Sequence, residues 1–406
     1  MSLMLPLSEL YTQVHSQIER QQKQQKNFDV IVLGVGSMGS ATCYYLAKQG
    51  HRVLGLEQFD IPHELGSHAG QSRIIRKAYF EHPDYVPLLE AAYNNWRDLE
   101  NETGTQLYFK TGLLYFGKPD SQLIKGLKLS AEKYKVPVYH LSSNEMASQF
   151  SQFQIPDDYE RMIEPDAGFV TPERAILTYT GRACQLGASV HVNEKTIAWK
   201  KVGRSITVKT DRDTYYCSKL VITAGAWAGK IIPTLSKQLS VTRQTLAWMQ
   251  PRNTSKFESG NFPCWTIADQ EKPGIYYGFP MLSASTFGGP IGLKLGHHTP
   301  GLPSDADAVD RIPAKADEDN LISMLNKFIP EGYASIRSIK TCLYTYTPDE
   351  NFILDFVPGF EKEVVMAAGF SGHGFKFASA VGEVMADLAT KGSTEHPIGF
   401  LNAARF

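Results

Sequence analysis

The stretch Asp29-Val-Ile-Val-Leu-Gly-Val-Gly-Ser-Met-Gly39 constrains this chain more than any other. A short apolar run enters Gly34-x-Gly36-x-x-Gly39. A helix-compatible run, Ala41 to Gln49, follows and closes on Gly50. A second apolar run, Val53 to Leu56, ends in Glu57, 18 residues past Gly39. Strand, glycine turn, helix, strand and carboxylate, in that order, form a Rossmann βαβ unit built for a dinucleotide. Gly34 permits a tight turn off the strand. Gly36 has no side chain to keep a pyrophosphate from the backbone, and Gly39 permits close helix–strand packing. The helix N-terminus offers unpaired N–H groups and the positive end of its dipole. Glu57 is placed to accept from ribose hydroxyls.

The rest of the chain sets the context for this unit. Its 406 residues allow two domains. With 41 basic and 42 acidic side chains there is no general pull toward nucleic acid or a membrane surface. Cys43, Cys184, Cys217, Cys264 and Cys342 stand singly, which argues against a disulfide framework or a metal site. No apolar run approaches the length of a membrane span, and no secretory signal pattern opens the chain, so the cytoplasm is the expected location. Leu7, Leu10, Tyr11, Val14 and Ile18 recur at helical spacing. Residues 1–26 therefore read as an appended amphipathic helix with a polar linker, Gln21 to Lys26. The opening Met1-Ser-Leu3 reads as a remnant of cloning.

Helices are expected from Tyr85 to Leu99, near 121–134, from Thr171-Pro172 to Gly187, and from Phe375 to Leu388. Strands are expected at 111–116, 189–192, 206–209, Lys219 to Thr223 and Val364 to Ala368. Residues 245–345 read as strands and loops, with a mobile proline-containing loop at 299–313. The chain thus returns to a strand, a glycine loop (Gly369-Phe-Ser-Gly-His-Gly374) and a helix near its end. A long flavin dinucleotide needs such a distal segment, and there is no second glycine fingerprint for NAD. FAD is the expected cofactor.

Four further blocks carry a resemblance: Gly66-Ser-His-x-Gly-x-x-Arg-Ile-Ile-Arg76, Gly292-Leu-Lys-Leu-Gly-x-His298, Lys340-Thr-Cys-Leu-Tyr344 with Thr347-Pro-Asp-Glu350, and Gly369 to Lys376. With these the chain, from about residue 28 onward, resembles the monomeric sarcosine oxidase and N-methyltryptophan oxidase family of FAD-dependent amine oxidoreductases. The resemblance implies an α/β fold: a glutathione-reductase-type Rossmann FAD-binding domain interleaved with a mainly antiparallel-sheet substrate domain. The FAD-binding domain is expected at 27–112, 165–245 and 346–406, and the substrate domain at 113–164 and 246–345.

The resemblance also implies roles. Cys342 would tether FAD through a thioether. Lys294 would sit beside the flavin and promote oxygen activation, since a preorganised cation in a dry pocket stabilises superoxide as it forms. Arg76 and Lys376 would hold the substrate carboxylate, arginine as a planar fork and lysine as a point charge. Tyr277 and His298 would lie near the amine, Arg73 near the flavin ring, and Tyr344, Gly372, His373 and Gly374 against the cofactor. The implied reaction takes two electrons from a small secondary amino acid, sarcosine first, to oxygen; the imine hydrolyses and hydrogen peroxide forms. N-methyltryptophan, pipecolate or a glycated amino acid are the alternative substrates, and a non-catalytic FAD-binding redox module is the alternative class. Relatives of this kind imply a monomer. The chain departs from the family's His-His-Gly-Asp-Thr pattern, carrying His68-Ala-Gly-Gln-Ser72 there, and its segment 280–287 is longer.

Overall fold

A computed structural model describes residues 4–21 and 25–406. The opening Met1-Ser-Leu3 and the centre of the polar tract lie outside the described residues. Two large sheets organise what is described. The first is built on Asn27–Leu33, with Val53–Leu56 and then Ser189–His191 parallel on one side and Thr214–Ile222 parallel on the other. Thr214–Ile222 forks. Its first half pairs antiparallel with Ser205–Thr210, which pairs in turn with Thr196–Val202. Its second half pairs parallel with Val364–Ala368, whose far edge takes Ile353–Phe356 antiparallel. The sequence of this strand explains the fork. Alternating exposure over Thr214-Tyr-Tyr-Cys-Ser suits a half-solvated meander; the unbroken apolar Leu220-Val-Ile222 suits a parallel strand covered on both faces.

Helices Ser37–Lys48, Pro172–Gln185 and Ala378–Lys391 pack together over this sheet. Their bounds lie within a few residues of the expected ones. The first helix starts at Ser37, because the glycine loop itself turns into helical geometry. The appended helix Leu7–Gln21 docks on Pro172–Gln185 and buries Leu10, Val14 and Ile18. Full burial of such side chains contributes about 1.5–3 kcal/mol each. Tyr11 and His15 fasten the same helix to Asp60, at 2.6 and 2.7 Å.

The second sheet is mainly antiparallel. Its strands run Tyr139–His140, Glu160–Glu164, Leu113–Gly117, Cys264–Ile267, Ile275–Gly278, Leu293–His298 and Ser240–Gln250, with Leu302–Pro303 and Ser335–Tyr346 beyond. Only the Leu113–Gly117 and Cys264–Ile267 pairing is parallel. Ser335–Tyr346 pairs along the whole of Ser240–Gln250. At one point Trp248 faces Ser338 while Met249 faces Ile336, leaving Arg337 as an extra, bulged residue.

Helix Lys315–Phe328 was not expected. It covers the outer face of this sheet with Leu321, Met324, Leu325 and Phe328 packed against Leu293 and Leu295. Its apolar spacing is helical, but a charged first turn and the prolines just before it mask the signal. A three-stranded sheet, Arg73–Ile75, Gly168–Val170 and Tyr108–Lys110, joins the two layers. No helix among the described residues is long and apolar enough to cross a membrane. No group of three or more His, Cys, Asp or Glu among them is placed to hold a metal ion.

Candidate active site

A cavity of about 410 Å³ runs between the two sheets, from the glycine loop to the start of the final helix. At one end Gly34 turns with φ +91°, and a Cβ there would sit 2.7 Å from the Thr223 carbonyl oxygen. A Cβ on Gly39 would lie 1.8 Å from the Gly34 carbonyl oxygen, so helix and strand meet at that point with no room for a side chain. Gly39 therefore stands behind the cavity wall, while Gly34 and Gly36 form it. Gly36 precedes the first helix without a side-chain cap. A Cβ on it would touch only His68 Nδ1, at 3.7 Å, so the fold leaves space over the open helix N-terminus. Glu57 accepts from the Val35 and Phe59 backbone N–H groups at 2.9 and 3.1 Å. Burial pushes its carboxyl up to about 7, against the pull of those donors.

The other end is cationic and aromatic. Arg73 is anchored by three backbone carbonyls, of Ser67, Ala69 and Ser72. The Arg76 guanidinium lies between the Tyr79 and Phe80 rings, 4.3 and 4.2 Å from their centroids. Its Nη2 donates to both carboxylate oxygens of Glu81, at 2.7 and 2.6 Å, and its Nη1 to the Ala78 carbonyl at 3.1 Å. Burial would raise the Glu81 carboxyl, but Arg76, His373 and Lys376 hold it down at about 2. The fork expected to hold a substrate is thus loaded with the protein's own carboxylate. Lys376 Nζ donates to the His373 carbonyl at 2.6 Å. Burial, reinforced by Arg76 and opposed by Glu81, brings its ammonium down to about 7.

His298, Tyr277 and Tyr344 complete this end, with the two tyrosine hydroxyls 3.4 Å apart. Burial lowers His298 to about 4, so its imidazole is neutral at neutral pH. The tautomer of His373 follows from its partners. The Glu350 carbonyl, 3.1 Å away, can only accept, so Nε2 carries the proton and Nδ1 accepts from the Tyr79 hydroxyl. Both ring nitrogens of His373 are therefore spent on the protein, and what it offers the cavity is its ring face and backbone beside Gly372 and Gly374.

Lys294 and Cys342 lie just behind the wall. Lys294 is buried, donates to the Ser72 carbonyl at 2.5 Å and to Ser72 Oγ at 3.2 Å, and rests on the Phe279 ring at 4.4 Å. Burial and Arg73 depress its pKa, while Glu173 favours its charged form. Cys342 packs with Leu246, Trp248, Tyr344 and Tyr346. Alternation along the strand puts its side chain on the same face as Tyr344, which lines the cavity. Burial pushes the thiol up, and the charges of Arg73, Lys294 and Arg311 pull the other way.

The bare glycine loop and the open helix N-terminus above it fit a bound dinucleotide.

Residues 29–388 match the family model described as DAO: FAD dependent oxidoreductase. The chain belongs to this family. Among relatives of this oxidoreductase, a monomeric sarcosine oxidase of Streptomyces avermitilis is 35% identical over 93% of the chain and 97% of its own length. An N-methyl-L-tryptophan oxidase of Yersinia pestis is 34% identical over 94% of the chain and 100% of its own length. The solved structure of NikD, an amino acid oxidase essential for nikkomycin biosynthesis, superposes with a TM-score of 0.81 at 26% identity, covering 93% of the chain and 98% of NikD. The resemblance read from the four sequence blocks and the glutathione-reductase-type α/β fold are both borne out. Sequence reasoning missed Glu81, although a carboxylate five residues beyond Arg76 is a pairing signal. It also missed Tyr79, whose packing on Arg76 leaves no mark in a single sequence.

Proposed function

We propose that this FAD-dependent oxidoreductase oxidises a small secondary amino acid, sarcosine first among them, with oxygen as acceptor and hydrogen peroxide as product. The observation that carries the reading is the pairing of two buried cations, Arg76 and Lys376, with neutral His298 and the Tyr277–Tyr344 pair at one end of a dinucleotide cleft. FAD, when bound, supplies the two-electron acceptor and returns those electrons to oxygen. The chain's own residues do the rest. Gly34, Gly36 and the open helix N-terminus take the pyrophosphate, and Glu57 takes a ribose. Arg76 and Lys376 hold the carboxylate, each charge-assisted bond worth about 1.5–3 kcal/mol. Only the free amine has a lone pair to assist oxidation; neutral His298 and the tyrosine hydroxyls add no positive charge and can hydrogen-bond to the amine in that form, its proton having left to solvent. Gly372, His373 and Gly374 back the flavin end beside Arg73, Cys342 tethers the cofactor, and Lys294 serves the oxygen step.

The strands of the first sheet and the three segments 27–112, 165–245 and 346–406 make the FAD-binding domain in this reading, with 113–164 and 246–345 as the substrate domain. The protein works as a cytoplasmic monomer. N-methyl-L-tryptophan is the second substrate to try, because a relative of that name is nearly as similar as the sarcosine oxidase.

The test is a panel of N-methyl amino acids, pipecolate and a glycated amino acid, read by anaerobic bleaching of the flavin and by peroxide in air. Bleaching and peroxide with sarcosine are expected. A flavin that stays oxidised with every carboxylated secondary amine removes the reading and leaves a redox module.

A further inference from the structure

The appended helix and Gln71 form one continuous brace that ends at Lys294. Gln71 is buried and adopts φ +68°, in the left-handed region. Its backbone N–H donates to both carboxylate oxygens of Glu173, at 3.2 and 3.1 Å, and Gly70 N–H donates to the same carboxylate at 2.6 Å. Its side-chain amide spans two other elements. Oε1 accepts from the Trp248 indole at 2.7 Å, and Nε2 donates to the Gly288 carbonyl. An indole N–H needs an acceptor and a carbonyl needs a donor, so of the side chains of this length only a neutral amide serves both.

Both ends of this bridge lead somewhere specific. Inward, Trp248 is the register partner of Lys294, and the residue after Gln71 supplies both oxygens on the Lys294 ammonium. Outward, Gly288 packs against Leu7 at the start of the appended helix; a Cβ on Gly288 would lie 2.9 Å from Leu7 Cδ2. Arg174 reinforces that contact, donating to the Leu5 carbonyl at 2.8 Å and the Thr286 carbonyl at 2.5 Å. The helix precedes the residues matched by the family model.

We propose that Gln71 is a positioning residue for the oxygen half-reaction: its amide fixes Ser72 against Lys294, and the appended helix, through Leu7 and the 286–288 turn, holds that amide in place. Its place in that half-reaction rests on the role proposed for Lys294. The lysine is clamped by a carbonyl on an otherwise strained turn, and small displacements of a preorganised charge are costly.

The experiment compares full-length Gln71→Met, Leu7→Ala and Lys294→Met variants with the parent, each loaded with FAD. Three quantities are read: anaerobic flavin reduction by substrate, reoxidation by oxygen, and amide hydrogen exchange over 66–76 and 284–298 without substrate. Gln71→Met should slow reoxidation by about tenfold or more, leave reduction within about twofold, and speed exchange in both segments. Leu7→Ala should move the same quantities in the same direction by less. If Lys294→Met reoxidises normally, the parent reading of the lysine fails. If Lys294→Met is slow while Gln71→Met matches the parent protein, the brace is wrong. Equal slowing of both half-reactions in Gln71→Met, as a merely structural residue would give, also overturns it, and so does unchanged exchange, which would mean that nothing was braced.

Discussion

Arg76 already spends Nη2 on Glu81 and Nη1 on the Ala78 carbonyl, so an incoming carboxylate gains only the difference between the contacts it makes and those it displaces, plus what Lys376 adds. That exchange still makes Arg76 decisive, because without it Glu81 becomes an unpaired buried anion facing the substrate. Arg76→Ala should raise the KM of a carboxylated amine by about ten- to hundredfold, measured by steady-state peroxide release. Lys376 gives the site a pH dependence whose sign is fixed. Its ammonium, lowered to about 7, is charged below that pH and neutral above it. A small carboxylic acid with no amine should therefore inhibit less well as pH rises from 6 to 8, and the step should vanish in Lys376→Met. An inhibition constant independent of pH in the parent protein would put another group in the role. Arg73, Arg76, His298 and Lys376 came to notice only through the family resemblance, while Lys294 also stood out as a charge between apolar neighbours. Glu81 did not, since a glutamate before His82-Pro83 reads as a surface charge; its burial follows only from the packing of Tyr79 and Phe80 around Arg76.

At the scale of elements, the first strand, glycine turn and helix behave as one rigid joint. The Gly39→Ala substitution sets a methyl against a backbone oxygen that no side-chain rotation can relieve. It should cost about 3 kcal/mol or more of stability and strip the protein of flavin, as read by thermal unfolding and the visible spectrum. The glycine joint was legible to the residue because its spacing is a backbone requirement. Helix Lys315–Phe328 was not, although Leu321, Met324, Leu325 and Phe328 sit at helical spacing, because the sheet face that buries them is distant in sequence. The same holds for the fork in Thr214–Ile222. Its change of pattern was visible at Lys219, but its two partners come from segments some 150 residues apart.

For the whole molecule, the cleft lies between two sheets that share one large core while each keeps a further core of its own, so a ligand spanning it adds a second tie between the layers. If Cys342 tethers that ligand, acid-precipitated protein should stay yellow, and Cys342→Ala should release the colour. In that variant free FAD becomes an ordinary ligand, and a hundredfold excess over its Kd should stabilise the fold by about 2.7 kcal/mol, read from the unfolding midpoint. The extra residue at Arg337 sets the phase of everything after it on its strand. Side chains alternate with a period of two, so drawing Arg337 into the ladder opposite Trp248, while Ile336 keeps its place opposite Met249, would turn every later position over. Sulfur and phenol would exchange places with their neighbours, and Leu343 would look where Cys342 now does. One insertion, about 17 Å from Cys342 by strand rise alone, therefore decides which way the cavity-lining edge of this enzyme faces.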